Sequence, residues 1–117
     1  MTDLDFDKHI YGKFGENLAC NYLTELGYKI LVKNYRTALG EIDIIAEKDG
    51  VTIFVEVKAK STARFGYGRE MVTSTKLRKI RNCAIYYLKQ NKKLESRVRF
   101  DCIEIMGQEI THIKAIL

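Results

Sequence analysis

Asp49-Gly50, set between two runs rich in β-branched residues in the stretch GEIDIIAEKDGVTIFVEVKAK (Gly40 to Lys60), limits what this chain can fold into. A two-residue Asp-Gly connection signals a type I′ hairpin, because both central residues need a positive φ. In the first run Ile42, Ile44 and Ala46 share one face, with Glu41, Asp43 and Ile45 on the other. In the second, Ile53, Val55, Val57 and Ala59 alternate with Phe54, Glu56, Lys58 and Lys60. Period-two alternation predicts two strands with unlike faces. A two-residue loop pairs Lys48 with Val51, and counting outward sets Ala46 against Ile53, Ile44 against Val55, Asp43 against Glu56 and Glu41 against Lys58. The apolar faces then coincide, which supports the register independently. Opposed Cβ atoms lie about 5 Å apart, and like charges there are destabilising. A longer loop would shift the pairing, but any register that joins the apolar faces leaves the acids together, and a cation should sit beside them.

A chain of 117 residues, 46% of them hydrophobic, is long enough for one domain spanning 1–117 around one core. No apolar run approaches the roughly 20 residues needed to cross a bilayer, so no membrane association is expected. The opening MTDLDFDKHI is acidic and lacks the apolar centre of a signal peptide, which predicts a cytoplasmic protein. Cys20, Cys83 and Cys102 are odd in number, far apart and without metal-site spacing, and read as buried reduced thiols.

Before the hairpin, residues from about His9 to Leu26 place Phe14, Leu18, Ala19, Tyr22, Leu23 and Leu26 at helical spacings, with Gly27 placed to end the helix. Gly12 and Gly15 weaken the first turns and suggest a later start. Tyr28 to Arg36 reads as a weakly alternating strand. After the hairpin, the Gly-, Ser- and Thr-rich STARFGYGREMVT reads as a loop. A second helix from Ser74 to Gln90 carries the stripe Leu77, Ile80, Ala84, Tyr87 and Leu88, with Thr73 or Ser74 as its cap. Two strands finish the chain. The first, containing Val98, Phe100 and Cys102, changes phase at Ile103, through a bulge or through burial on both faces. The second, after a turn near Gly107, covers Ile110 to Leu117. The order α-β-β-β-α-β-β predicts an α/β domain, a mixed sheet flanked by helices, whose third and fourth strands run parallel through the helical crossover.

Charge is unevenly spread over the net +5 of the chain. Nine Lys and Arg residues stand between Lys76 and Arg99 against Glu95 alone. Such asymmetry suits an anionic partner, nucleic acid first, and it equally suits a solvated helix face. In the loop, Arg64 and Arg69 interleave with Phe65 and Tyr67, a pattern that grips phosphates and stacks on unpaired bases, or that simply stays a bare surface loop.

Asp43 and Glu56 are hard oxygen donors that suit Mg²⁺, or Mn²⁺, better than zinc. Lys58 shares a strand face with Glu56 and can hold a water or screen a phosphate. These parts suit metal-assisted phosphodiester hydrolysis. The bland reading is a solvated hairpin with a Lys58–Glu41 surface ion pair worth at most about 1 kcal/mol. The spacing alone is a loose pattern. Glu16 is either an ordinary first-turn acid or a group aimed at the carboxylate pair. Asp101, between Arg99 and Cys102, reads as a buried acid paired with Arg99, Arg97 or a backbone amide; His9 and His112 read as surface or structural residues.

Asp43 followed by Glu56-Val57-Lys58 resembles the D…(D/E)xK core of the PD-(D/E)XK superfamily, to which restriction endonucleases and archaeal Holliday junction resolvases belong. More closely, the chain resembles the YraN-like family of small bacterial proteins, through Gly15-Glu16, Gly27-Tyr28, Asn34-Tyr35-Arg36, GEID at Gly40 to Asp43, FVEVK at Phe54 to Lys58, Lys76, and Arg99-Phe100-Asp101. The resemblance implies a restriction endonuclease-like fold and a Mg²⁺- or Mn²⁺-dependent endonuclease acting on DNA, branched or damaged DNA among the substrates. Asp43 and Glu56 would bind the metal, Lys58 would assist the water, and Glu16 would join the site from the first helix. Lys76 would contact phosphate from the second helix, and Lys60, Arg64, Arg69 and Lys79, basic residues of the strand end, loop and helix, are read as further contacts to nucleic acid. Lys60 departs from the family pattern, where Arg is usual, so charge is kept without bidentate geometry. Resolvase relatives often act as dimers, which implies a homodimer, although no interface is legible. The contrasting reading is a catalytically silent nucleic-acid-binding or adaptor protein with the same fold.

Overall fold

The computed structural model describes the backbone of residues 3–60 and 73–117, and the side chains of residues 13–59 and 73–117. Its elements follow the expected order: α1 (Asp3–Glu25), β1 (Lys29–Thr37), β2 (Gly40–Lys48), β3 (Val51–Lys60), α2 (Ser74–Gln90), β4 (Arg97–Met106) and β5 (Glu109–Ile113). The strands form one sheet in the order β1-β2-β3-β4-β5. It is a mixed sheet: β3 and β4 run parallel through the α2 crossover and the other neighbours are antiparallel. The class is α/β.

Each helix covers one face. Ala19, Cys20 and Leu23 of α1 bury Ile44, Ala46, Ile53, Val55, Ile103 and Ile105. Ile80, Cys83, Ala84, Tyr87 and Leu88 of α2 bury Ile42, Ile45 and Phe54 on the opposite side. Ile80, Ala84, Tyr87 and Leu88 of the stripe read from the sequence are thus on the packed face of α2, where Cys83 joins them and half-buried Leu77 does not, and Thr73 caps the helix by accepting the Lys76 N–H. With helices on both sides, β4 is buried from Asp101 through Ile105 without a register shift, so its change of phase reflects two-sided burial and not a bulge. The three cysteines are buried and unpaired.

Apart from β5, which ends at Ile113 and not at the expected Leu117, three features differ from the expectations. First, α1 begins at Asp3. Gly15, which weakens a helix in isolation, serves packing instead: a Cβ there would meet the Ala59 Cβ at 2.5 Å. The glycine lets α1 lie directly on β3. Gly15→Ala should gain up to about 1 kcal/mol of helix propensity and lose about 1–3 kcal/mol to overpacking, a net destabilisation in urea unfolding. Adding Ala59→Gly should recover much of it, and a double variant no more stable than Gly15→Ala would refute the contact. At the other end, Gly27 has φ +91°. Its N–H donates to the Thr24 carbonyl and that of Tyr28 to the Leu23 carbonyl, the paired bonds of a Schellman stop.

Second, Ile42 does not share a face with Ile44 but packs on the α2 side with Ile45. The cause lies in the neighbouring strand. Asn34, at φ +53°, lies between the pairs Lys33–Ile44 and Tyr35–Ile42. A left-handed residue, tolerated by Asn, turns the strand there. Val32 and Tyr35, an odd number of residues apart, consequently pack on the same side.

Third, the hairpin register holds from Lys48–Val51 to Ile44–Val55, where the β2–β3 ladder closes. Asp49 and Gly50 both have positive φ, as the tight turn requires. The expected Asp43–Glu56 and Glu41–Lys58 pairs do not form in the ladder. Beyond Ile44, β2 stays paired with β1 while it parts from β3.

Candidate active site

The parting of β2 and β3 creates the site. Backbone that would have continued the ladder is left open, and the Asp43 carboxylate enters the gap: its Oδ2 accepts the Val57 N–H at 2.8 Å. This holds Asp43 beside the ExK segment without direct strand pairing. Burial pushes the Asp43 carboxyl up to about 7, and the charge of Glu56 adds to the push; the Val57 N–H opposes it, Glu16 adds to it, and Lys58 opposes it. Asp43 therefore feels both Glu56, on the α2 side of the sheet, and Glu16, carried in by α1. The close approach at Gly15 seats the adjoining Glu16 there.

Glu56 is buried. Its Oε1 lies 2.9 Å from Lys76 Nζ and 3.6 Å from Lys58 Nζ. Among the described residues its Oε2 is buried with no hydrogen-bond partner. Two ammonium groups thus crowd one oxygen of a carboxylate whose other oxygen meets no donor among the described residues. Burial lowers the Lys58 amine below its usual value, and the neighbouring Lys76 lowers it further against the pull of Glu56 and Asp43. For Lys76 burial acts against the charge, and the contacts with Lys58 and Glu56 outweigh it, so its amine is raised.

A cleft of about 590 Å³ opens over this corner, lined by Arg36, Thr37, Gly40, Glu41, Glu56, Thr73, Lys76 and Lys79 among others. One wall is the β1–β2 turn. Gly40, at φ +151°, lies against α2 where a Cβ would stand 3.4 Å from Lys79, and the Cys83 thiol donates to its carbonyl. The other wall is the first half of α2. Three side chains lining the cleft, Arg36, Lys76 and Lys79, are cationic.

The structure therefore brings together Asp43, Glu56, Lys58 and Lys76, places Glu16 within electrostatic reach, and sets Lys79 on the cleft wall. Lys60 is the last residue of β3, with its side chain outside the described residues, as are Arg64 and Arg69 entirely. Glu41 pairs with exposed Arg36 at 3.2 Å, not with Lys58. Two neighbours escaped the sequence reading. In the parallel register Cys102 lies beside Glu56 and buried Glu104 beside Lys58. Burial, with Glu104 and Glu56 adding, pushes the Cys102 thiol up to about 11, which leaves it an inert side chain. The one available signal was that a helical crossover makes β3 and β4 adjacent.

Among the described residues no three His, Cys, Asp or Glu side chains gather as a metal cage. The donor set nevertheless fits Mg²⁺, which commonly takes one or two carboxylates and fills its shell with water and phosphate oxygens. The partnerless Oε2 of Glu56 is the atom such an ion would satisfy.

Asp101 lies in a separate, structural place. Fully buried, it accepts Arg99 Nε at 2.8 Å and Nη2 at 2.7 Å, His112 Nε2 at 2.7 Å and the Ala115 N–H at 3.1 Å. Burial raises its carboxyl, but these donors prevail and hold it at about 2. His112, isolated in the sequence, meets Tyr22 Oη at 3.1 Å through Nδ1.

The architecture is a mixed α/β sheet with a helix on each face, and acids and lysines gather where two of its strands part. The chain belongs to the family described as Uncharacterised protein family UPF0102, which matches residues 15–105. A UPF0102 protein of Sulfurihydrogenibium sp. (strain YO3AOP1) is 45% identical over 92% of this chain and 94% of its own length. One from Clostridioides difficile (strain 630) is 48% identical over 87% and 91%, respectively. A third, from Thermodesulfovibrio yellowstonii, is 47% identical over 88% and 91%. No helix among the described residues is long and apolar enough to cross a membrane.

Proposed function

We propose that this protein is a metal-dependent endonuclease that hydrolyses phosphodiester bonds of nucleic acid, DNA foremost. The observation that carries the reading is the partnerless buried Oε2 of Glu56, beside an Asp43 whose carboxyl is raised by burial and by that same neighbour. A sheet has no structural use for such a pair, and a hard divalent cation relieves both defects. Asp43 and Glu56 would hold Mg²⁺ or Mn²⁺. Bound there, the ion would polarise a phosphoryl oxygen and stabilise negative charge developing on it.

The other groups are this chain's own contribution. Lys58, its amine lowered, can take a proton at Nζ from a water positioned over Glu56. Glu16 adds negative charge on the α1 side and strengthens the site's demand for a cation. Arg36, Lys76 and Lys79 line the cleft with positive charge, which suits a phosphate backbone. Lys60, Arg64 and Arg69 extend the same proposal.

The test is incubation with linear, single-stranded and branched DNA and with RNA, in Mn²⁺ or EDTA, beside Asp43→Ala. Cleavage by the wild type with Mn²⁺, absent in EDTA and in the variant, is expected. Equal behaviour of wild type and variant on every substrate would refute the endonuclease. Salt-sensitive binding without cleavage would identify the adaptor reading instead.

A further inference from the structure

We infer that Lys76 is a stand-in cation for the metal at Glu56: ion and ammonium compete for this carboxylate, and the displaced side chain turns to substrate phosphate. The inference rests on the metal reading above and adds a coupling between metal and nucleic acid within the site.

Glu56 has only 8% of its side chain exposed, so its charge is withdrawn from water. A buried carboxylate needs a counter-charge in every state of the protein. Without a metal, lysine supplies that counter-charge: Lys76 Nζ stands 2.9 Å from Oε1, nearer than Lys58 at 3.6 Å. The contact is lopsided, however. Both ammonium groups press on Oε1 while Oε2 has no partner. A carboxylate whose permanent partner were lysine would be expected to spread those donors over both oxygens.

Lys76 can leave, whereas Lys58 is confined. Lys76 stands in the first turn of α2, with 34% of its side chain exposed, and lines the cleft together with Arg36 and Lys79. Lys58 rises from β3, with 18% exposed. A divalent ion shared by Asp43 and Glu56 would bring two charges to a spot now served by two single ones. The more exposed ammonium is then free to swing on its four-carbon stem into the cleft, where a phosphate would meet it. Metal binding thereby strengthens the grip on nucleic acid, and nucleic acid, by holding Lys76 away, strengthens the grip on metal.

Mn²⁺ titrations of the full chain without nucleic acid, by calorimetry and by the electron paramagnetic resonance of free Mn²⁺, test this. Lys76→Met, which keeps the side-chain length and removes the charge, should bind Mn²⁺ about tenfold more tightly than the wild type, the scale of one lost ion pair. Lys76→Arg should bind no more tightly than the wild type. Lys79→Met removes a charge from the same cleft without touching Glu56, and should shift Mn²⁺ affinity by less than about twofold. In fluorescence anisotropy with a DNA oligonucleotide, Mn²⁺ should strengthen wild-type binding more than that of Lys76→Met. An unchanged or weaker Mn²⁺ affinity in Lys76→Met, confirmed as folded by circular dichroism, overturns the inference while leaving the metal reading intact. Equal tightening in Lys79→Met also overturns it, since the general field of the cleft would then suffice. If Lys76→Met does not fold, Lys76→Gln carries the same comparison. Mn²⁺ binding by neither wild type nor variants removes the metal reading and the inference together.

Discussion

Asp101→Asn should destabilise the protein by about 3–5 kcal/mol, the scale of breaking a buried ionic network by removing one member. Four donors converge on this carboxylate: Arg99 Nε and Nη2, His112 Nε2 and the Ala115 N–H. Asparagine keeps the shape but offers one acceptor oxygen, and turns an NH₂ group against the remaining donors. Urea unfolding at pH 7 should show a lower midpoint with an unchanged slope. The effect should also be pH-dependent. The folded carboxyl titrates at about 2 against an ordinary 3.8. Its stabilising contribution is then complete above about pH 4 and fades as pH falls through that interval, by about 2 kcal/mol at 1.36 kcal/mol per unit. Wild type and variant should converge on acidification by that amount. A gap that stays constant from pH 7 to pH 2 would show that the ionised form is not what holds the network together.

How much of this was legible beforehand depends on what kind of information each feature needs. The bounds of α2 and its buried stripe need only local periodicity, and Ser74–Gln90 emerged as expected. The hairpin register needs only turn chemistry, and Asp49-Gly50 fixed it as far as Ile44–Val55. Counting in twos then failed at Asp43, because parity arguments assume an unbroken pleat. Asn34 in its left-handed conformation breaks that pleat on the strand next door. Asp43 still meets β3, with its side chain where its backbone does not. Gly15 misled in a different way: a residue that disfavours helix in isolation is required by a neighbour 44 positions away, Ala59. No local window contains that contact. The Lys76–Glu56 and His112–Asp101 partnerships depend likewise on the crossover and on the β4–β5 register. Charge composition singles out α2 as basic without saying which of its lysines turns inward to Glu56.

Asp43→Asn should do the reverse of Asp101→Asn and stabilise the protein at alkaline pH. The folded Asp43 carboxyl titrates near 7, above its ordinary 3.8, because burial and the charge of Glu56 disfavour ionisation. Between those values the unfolded chain has released its proton while the native protein retains it, so native stability falls as pH rises through the interval. Above pH 7 the loss is complete, and at 1.36 kcal/mol per unit it reaches about 4 kcal/mol. Asparagine presents no charge and can still accept the Val57 N–H through Oδ1. At pH 8 the variant should therefore be more stable than the wild type by about 2–4 kcal/mol, and near pH 4 the two should unfold alike. Saturating Mn²⁺ at pH 8 should raise the wild-type unfolding midpoint and leave that of the variant nearly still, since only an ion bound to the native state adds stability. Cleavage by Asp43→Asn should fall to background in the same preparation. A variant that gains stability while losing metal response would mark Asp43 as a residue held against the interest of the fold, and no substrate need be known to see the gain. A less stable variant at pH 8 would show that the ionised carboxylate stabilises the native protein despite its burial, and would make Asp43 a structural acid like Asp101.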